Sequence, residues 1–313
     1  MSTTGNEANL SRILRELGKE DWVGALAERL SGSDFNTLML EIYKARTRRS
    51  TPAELLKQYE GNRFVHPAAV DPLRLKQLEL DLLTIARAHR SEPIQLSPAA
   101  PLGSCSVVGP VDQNKVISAS RGTEVVADAT NLLALHVCRL LKSKERSHRD
   151  EFIRFATTHR HVRAQYFGAA PGMLPHFHVF CMVTAGSDTG SYAFEIPSFW
   201  EHILVYRDIF GTLFGAEIEI RLSGRAGYKD GEGLLSRIVK EGEGRSIDVA
   251  TKLIEPNLGN DYYKGLQFTI VARIGGQELP IGDGGYVDWP QRMLGNKKER
   301  MLISAIGLDR LLQ

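Results

Sequence analysis

Arg163 and Gln165 stand two residues apart, and His159 and His161 precede them at the same parity. On an extended strand residues two apart point to one face, so these four would share a surface. Beyond a glycine- and proline-bearing turn from Gly168 to Pro175, Phe177 lies between His176 and His178. An arginine beside an aromatic ring could hold a nucleotide, the guanidinium taking phosphate and the ring taking the base. Near the C-terminus, the run Ile303 to Arg310 reads as a strand passing into a helix start, where Arg310 could meet a second phosphate. Each residue also has a plainer reading: Arg163 could pair with a sheet carboxylate, and Arg310 could be a solvated helix residue. Asp128 could touch a ligand or simply cap the helix that carries Leu133. Tyr262 and Tyr263 are adjacent, so on a strand at most one of them lines a pocket.

The pairs His159/His161 and His176/His178 have the spacing of zinc ligands. If Phe177 faces a nucleotide, however, His176 and His178 face away from it, and hydrogen-bonded sheet histidines are the preferred reading. Gly242-Glu243-Gly244 and Gly282-Asp283-Gly284-Gly285 lack the strand-to-helix setting of a phosphate loop and read as turns. Gly103-Ser104-Cys105-Ser106 has no placed base and reads as a loop.

The elements that must position these residues follow from periodicity. Leu10, Ile13, Leu14 and Leu17, then Val23, Leu26 and Leu30, repeat at helical spacing. Ser31-Gly32-Ser33-Asp34 breaks that pattern before Leu38, Leu40, Ile42 and Tyr43 resume it. Thr51-Pro52 opens a further helix, threonine capping and proline fitting the first turn. Residues 1–66 therefore read as a small N-terminal helical module, and residues 67–313 as the main domain. Asp71-Pro72 starts a long amphipathic helix with Leu75, Leu78, Leu82 and Ile85 on one stripe, stopped by Pro93, Pro98 and Pro101. Strands are expected at Val116-Ile117, 162–167, 177–183, 218–222, 268–274 and 302–306, with helices around Leu133 to Leu141 and Ser198 to Phe210. Strands joined by hairpins with helices between them indicate an α+β fold on a largely antiparallel sheet flanked by helices.

Composition bounds the rest. The chain has 313 residues, Lys+Arg 39 against Asp+Glu 37, and 42% hydrophobic residues, which excludes a disordered tail or a highly charged nucleic-acid coat. The basic clusters at Lys44 to Arg49, Lys142 to Arg149 and Lys297 to Arg300 form no continuous stripe and read as solvated faces. Cys105, Cys138 and Cys181 are too scattered for a disulfide framework. With no membrane-length apolar run and no secretory signal, a soluble cytoplasmic protein is expected.

The order of the pieces resembles the three motifs of class II aminoacyl-tRNA synthetases: long helix and proline-bearing strand, then Val162-Arg163-Ala164-Gln165 with Phe177, then Ala305-Ile306-Gly307-Leu308-Asp309-Arg310. More narrowly it is similar to the histidyl-tRNA synthetase branch, which includes the regulatory subunit of ATP phosphoribosyltransferase. Val126-Ala127-Asp128-Ala129-Thr130 sits where that branch has Arg-Pro-Asp/Glu-x-Thr, and Leu258-Gly259-Asn260-Asp261-Tyr262-Tyr263 where it has Arg-Gly-Leu-Asp-Tyr-Tyr. Gly284-Gly285-Tyr286-Val287-Asp288 approximates its Gly-Gly-Arg-Tyr-Asp. The resemblance spans about residues 70–313.

It implies a class II synthetase-like core, a homodimer formed through the first motif, and ATP used with magnesium. Arg163 would contact the α-phosphate, Gln165 would stand at the motif-two acid position of the ATP site, Phe177 would stack on adenine, and Arg310 would hold the γ-phosphate. Asp128 and Thr130 would face the amino group of an amino acid, with Asp261, Tyr262 and Tyr263 at its side-chain pocket. The implied activity is that of a ligase forming an acyl-adenylate from ATP and an amino acid or similar carboxylate; the acceptor would be a carrier protein, an amine or a tRNA-like RNA. Departures point to an alternative, a non-catalytic regulatory paralogue that senses a small molecule and acts on a partner enzyme. The branch's arginine is Leu258, its motif-two glutamate is Gln165, Val126 replaces the arginine of Arg-Pro-Asp/Glu, and Ala305 replaces the first glycine before the terminal arginine. With three residues after Arg310, a core without an anticodon-binding domain is expected.

Overall fold

Local signals in the sequence set the helix starts. The computed structural model describes residues 3–18, 21–147, 151–165, 175–256 and 262–312. It divides into two compact units, Met1–Asn62 with Ala119–Thr123, and Arg63–Ser118 with Glu124–Gln313. The first holds helices α1 (Thr3–Glu16), α2 (Trp22–Glu28), α3 (Gly32–Thr47) and α4 (Pro52–Gly61). Ser31 caps α3 by accepting from the Asp34 N–H, and Thr51 and Glu54 form a reciprocal capping box at α4, which satisfies donors the helix itself cannot. No described residue of α2, α3 or α4 is buried.

In the second unit, Asp71 caps α5 (Pro72–Ala88), accepting from the N–H groups of Leu73 and Arg74. Short strands β1 (Glu92–Pro93), β2 (Ala99–Pro101), β3 (Ser118–Ala119) and β4 (Thr123–Val125) precede α6 (Ala129–Ser143). Then follow β5 (Ile153–Val162), β6 (His176–Ser187), α7 (Glu195–Phe214), β7 (Ile218–Gly224), α8 (Gly231–Gly244) and β8 (Ala250–Leu253). Last come β9 (Lys264–Ile274), β10 (Gln277–Val287), α9 (Trp289–Leu294) and β11 (Glu299–Gly307). Eight strands form one sheet in the order β1-β5-β6-β11-β10-β9-β7-β8. Its six central strands pair antiparallel, and only the edge pairs β1/β5 and β7/β8 are parallel. No helix among the described residues is long and apolar enough to cross a membrane.

Strand alternation separates two cores. Phe180, Met182, Leu302, Ile306, Phe268 and Leu222 pack on one face with α5, α7 and α8. Cys181, Val183, Met301, Ile303 and Val287 pack on the other with α6 and Trp289 of α9. This second face carries the site.

Four local expectations change. The strand expected at 162–167 is β5, which pairs with β6 from Ile153↔Ala185 to Val162↔His176. Arg163 leaves the ladder with its N–H still donating to the Pro175 carbonyl at 2.7 Å. Residues 166–174, including most of the expected turn, lie outside the described residues. Val116-Ile117 is not a strand, because a short 3-10 turn over Gln113–Lys115 ends at Val116. Gly282-Asp283-Gly284-Gly285 is not a turn: it lies inside β10, bonded to β9 on one side and β11 on the other. Gly242-Glu243-Gly244 likewise closes α8.

Candidate ligand-binding cavity

Where α6 leaves the second face uncovered, a cavity of about 440 Å³ opens. It brings together residues from widely separated stretches of the chain. Arg163 and Gln165 come from the end of β5, Asp128 and Thr130 from the start of α6, Tyr262 and Tyr263 from the approach to β9, and Asp283 from β10. Lys115 and Cys105 also line it.

Asp128 is both a cap and a cavity residue. Its Oδ1 accepts from the Thr130 N–H at 2.9 Å and the Thr130 hydroxyl at 2.7 Å, and its Oδ2 accepts from the Tyr262 hydroxyl at 2.6 Å. Burial alone would raise its pKa. The nearby Arg163 and His161, with the hydrogen bonds from Tyr262 and Thr130, outweigh burial and hold the carboxyl below its ordinary value. Arg163 Nε donates to the Ala127 carbonyl at 2.9 Å, and the guanidinium lies 5.4 Å from the Phe177 ring centroid. One end of the arginine is therefore fixed, and its terminal nitrogens have no hydrogen-bond partner among the described residues.

His161 is buried in the cavity wall, where its Nε2 accepts from the Ala129 N–H at 2.9 Å. The neutral ring thus carries its proton on Nδ1, and that atom has no partner among the described residues. Burial drives its pKa down to about 3. Phe177 meets this ring edge-on at 5.7 Å between centroids. His176 and His178 point to the opposite face, as strand parity requires, where both Nδ1 atoms accept from Arg160 at 2.9 Å. His159 bonds the Ser97 carbonyl at 3.1 Å.

Both tyrosines line the cavity, contrary to the strand-alternation expectation. They precede β9 in a bend, so alternation does not apply, and their rings meet edge-on at 4.9 Å. Gly285 makes this possible: a Cβ there would lie 2.6 Å from the Tyr263 ring. Arg310 does not line the cavity. It is exposed on a short 3-10 turn, and its Nη1 donates to the Pro280 carbonyl at 2.8 Å. Asp261, with Leu258, lies outside the described residues. Arg300, read as part of a solvated basic cluster, is instead held by Asp188 at 2.5 Å and Glu195 at 3.0 Å.

Sequence reasoning missed Asp283, Lys115 and Cys105, and placed His161 only by parity. The Gly284-Gly285 string, aligned with the branch's Gly-Gly-Arg-Tyr-Asp, was the one signal near Asp283, and reading Gly282 to Gly285 as a turn set it aside.

No protein-family model and no curated protein matches the sequence. Solved structures are similar in fold. The RNA-binding domain of a threonyl-tRNA synthetase from Cryptosporidium parvum matches with a TM-score of 0.60 at 13% identity, over 76% of this chain and 63% of that one. An apo histidyl-tRNA synthetase from S. aureus matches with a TM-score of 0.55 at 12% identity, over 78% and 66%. An ATP phosphoribosyltransferase regulatory subunit/histidyl-tRNA synthetase from Bacillus halodurans matches with a TM-score of 0.57 at 13% identity, over 80% and 82%. The chain thus spans just under two thirds of the first two structures. Its core has the class II aminoacyl-tRNA synthetase-like fold, shared by synthetases and by a regulatory paralogue.

Proposed function

We propose that the cavity holds an amino acid or similar small carboxylate beside ATP and joins the two as an acyl-adenylate. The observation that carries this reading is the convergence of Arg163, Gln165, Asp128, Thr130, Tyr262 and Tyr263 on one cavity, with Phe177 against Arg163. In the reaction a carboxylate oxygen bonds to the α-phosphorus and pyrophosphate leaves, so no protein nucleophile is needed. The protein must place the two reactants and stabilise negative charge on the phosphate. Arg163 is built for the second task, anchored through Nε and open at its terminal nitrogens.

The ionised Asp128 with Thr130 and Tyr262 suits an ammonium group. ATP fits at Arg163 and Phe177. Arg310 would have to leave the Pro280 carbonyl to reach a γ-phosphate. Magnesium takes oxygen ligands and adds positive charge at the phosphates; Gln165 and Asp128 are oxygen donors at the cavity. A homodimer through α5 and an acyl acceptor such as a carrier protein, an amine or a tRNA-like RNA belong to the same reading.

Pyrophosphate exchange into ATP, screened over the amino acids, tests it. Exchange with one substrate is expected, falling on the order of a thousandfold in Arg163→Ala. Amino-acid binding without exchange would make the protein a small-molecule sensor acting on a partner enzyme. Absence of both exchange and ATP binding would overturn the reading.

A further inference from the structure

The cavity holds two carboxylates in unlike surroundings. Asp128 accepts three hydrogen bonds, which leaves one of its four lone-pair sites open. Asp283 accepts from the Tyr263 hydroxyl, and a Gln267 Nε2 lies 3.4 Å away. Arg225 Nε donates to Gln267 Oε1 at 3.0 Å, which fixes the amide so that its NH₂ faces Asp283. The nearest influence of a cation on Asp283 is that of Arg163, and no ion pair joins them among the described residues. Burial raises the Asp283 pKa, and the Asp128 charge adds to it against the Tyr263 hydrogen bond. A desolvated carboxyl of this kind, oriented but without a counter-charge, is costly unless something pairs with it.

The register leaves room beside it. Asp283 stands opposite Ala305 on β11, and Ala305 stands opposite Cys181 on β6, so the row across the sheet from the carboxyl carries small side chains. The Arg163 guanidinium, held through Nε by the Ala127 carbonyl and with no partner on its terminal nitrogens among the described residues, is an independent sign of an anionic group in the same cavity.

We propose that Asp283 is the specificity-determining residue of the cavity, and that the ligand is an amino acid whose side chain ends in an amine or guanidinium. Its carboxylate meets Arg163, its α-ammonium meets Asp128, and its second cation meets Asp283. The inference rests on the preceding reading only in taking the occupant to be an amino acid. It requires no adenylation.

Calorimetry on the full chain without ATP tests it, using L-lysine, L-ornithine and L-arginine against the near-isosteric neutral L-norleucine and L-citrulline. At least one basic ligand is expected to bind tenfold or more tightly than its neutral counterpart. Asp283→Asn should bring the pair within about threefold, with an unchanged circular-dichroism spectrum. Gln267→Leu keeps the carboxyl, frees its orientation, and should reduce the preference in part. Equal binding of neutral ligands, tighter binding of histidine than of any amine or guanidine, no amino-acid binding, or a preference unaltered in Asp283→Asn would each overturn the proposal. Exchange with a neutral amino acid would overturn it and keep the adenylation reading. A lysine preference without exchange would do the reverse.

Discussion

The two faces of the central sheet treat polar groups differently. On the face covered by α5 and α7, His202 is bonded on both ring nitrogens, to Thr184 at 2.9 Å and Ser304 at 2.8 Å. Arg154 on that side makes a two-point contact with Glu201 at 2.8 Å. On the cavity side, His161 Nδ1, His159 Nδ1 and Asn131 Oδ1 are buried without a partner among the described residues, against Asp309 Oδ1 beside His178 on the α5 side. Polar groups that close all their bonds within the protein hold it together, whereas the Arg163 terminal nitrogens, open at the cavity, are set for something that enters. His161 and His202 show this well. Both are buried and both have pKa values driven down to about 3 by burial, yet only His161 faces a space.

The contrast can be broken by substitutions on each side. Phe268→Ala, on the filled face, should cost roughly 3–5 kcal/mol of stability by leaving a cavity among rigid neighbours, read as a shift in the denaturant midpoint. Arg163→Ala should instead leave the midpoint nearly unchanged and weaken amino-acid binding on the order of a hundredfold, about 2.7 kcal/mol. If Arg163→Ala unfolds the protein, the cavity side is structural after all.

Acid sharpens the comparison. Each of the two histidines has a folded pKa below its unfolded value near 6.5, so the unfolded chain takes the proton first. The stability each contributes is whole above about pH 6.5 and is lost as pH falls from there towards 3. From pH 7 to pH 5 each should cost about 2 kcal/mol. Urea titrations at the two pH values should show that loss reduced in both His202→Gln and His161→Gln, with ligand binding altered only in the second.

The smallest effect expected is on Asp283. Its folded pKa is raised, so the folded state favours the proton and stability falls as pH rises through the folded pKa. Asp283→Asn should therefore raise the melting temperature modestly at pH 7, by no more than about 1 kcal/mol equivalent, with the gain vanishing at acid pH. A loss of stability at pH 7 would mean that the carboxylate is already paired.

Much of the fold was legible because it depends on neighbours in the chain. Thr51-Pro52 and Asp71-Pro72 announce helix starts because a capping side chain reaches N–H groups two or three residues away. Strict alternation in Ile218, Ile220 and Leu222 marks β7, since a half-buried strand requires it. The order of motif-like strings located Arg163, Asp128 and the tyrosine pair, which the structure gathers at one cavity.

What the sequence could not determine depends on residues far apart in the chain. Gly282-Asp283-Gly284-Gly285 has the composition of a turn, yet two flanking strands press so close that side chains would not fit. A Cβ at Gly284 would lie 2.6 Å from the Ile303 carbonyl oxygen. That crowding turns glycine into a strand residue and puts Asp283 in the cavity floor. Arg310 shows the converse: its place in the chain suggests a phosphate ligand, and the Pro280 carbonyl, 30 residues away, holds it elsewhere. Backbone hydrogen bonds and steric fit between distant segments fixed both outcomes, and no local pattern encodes either one.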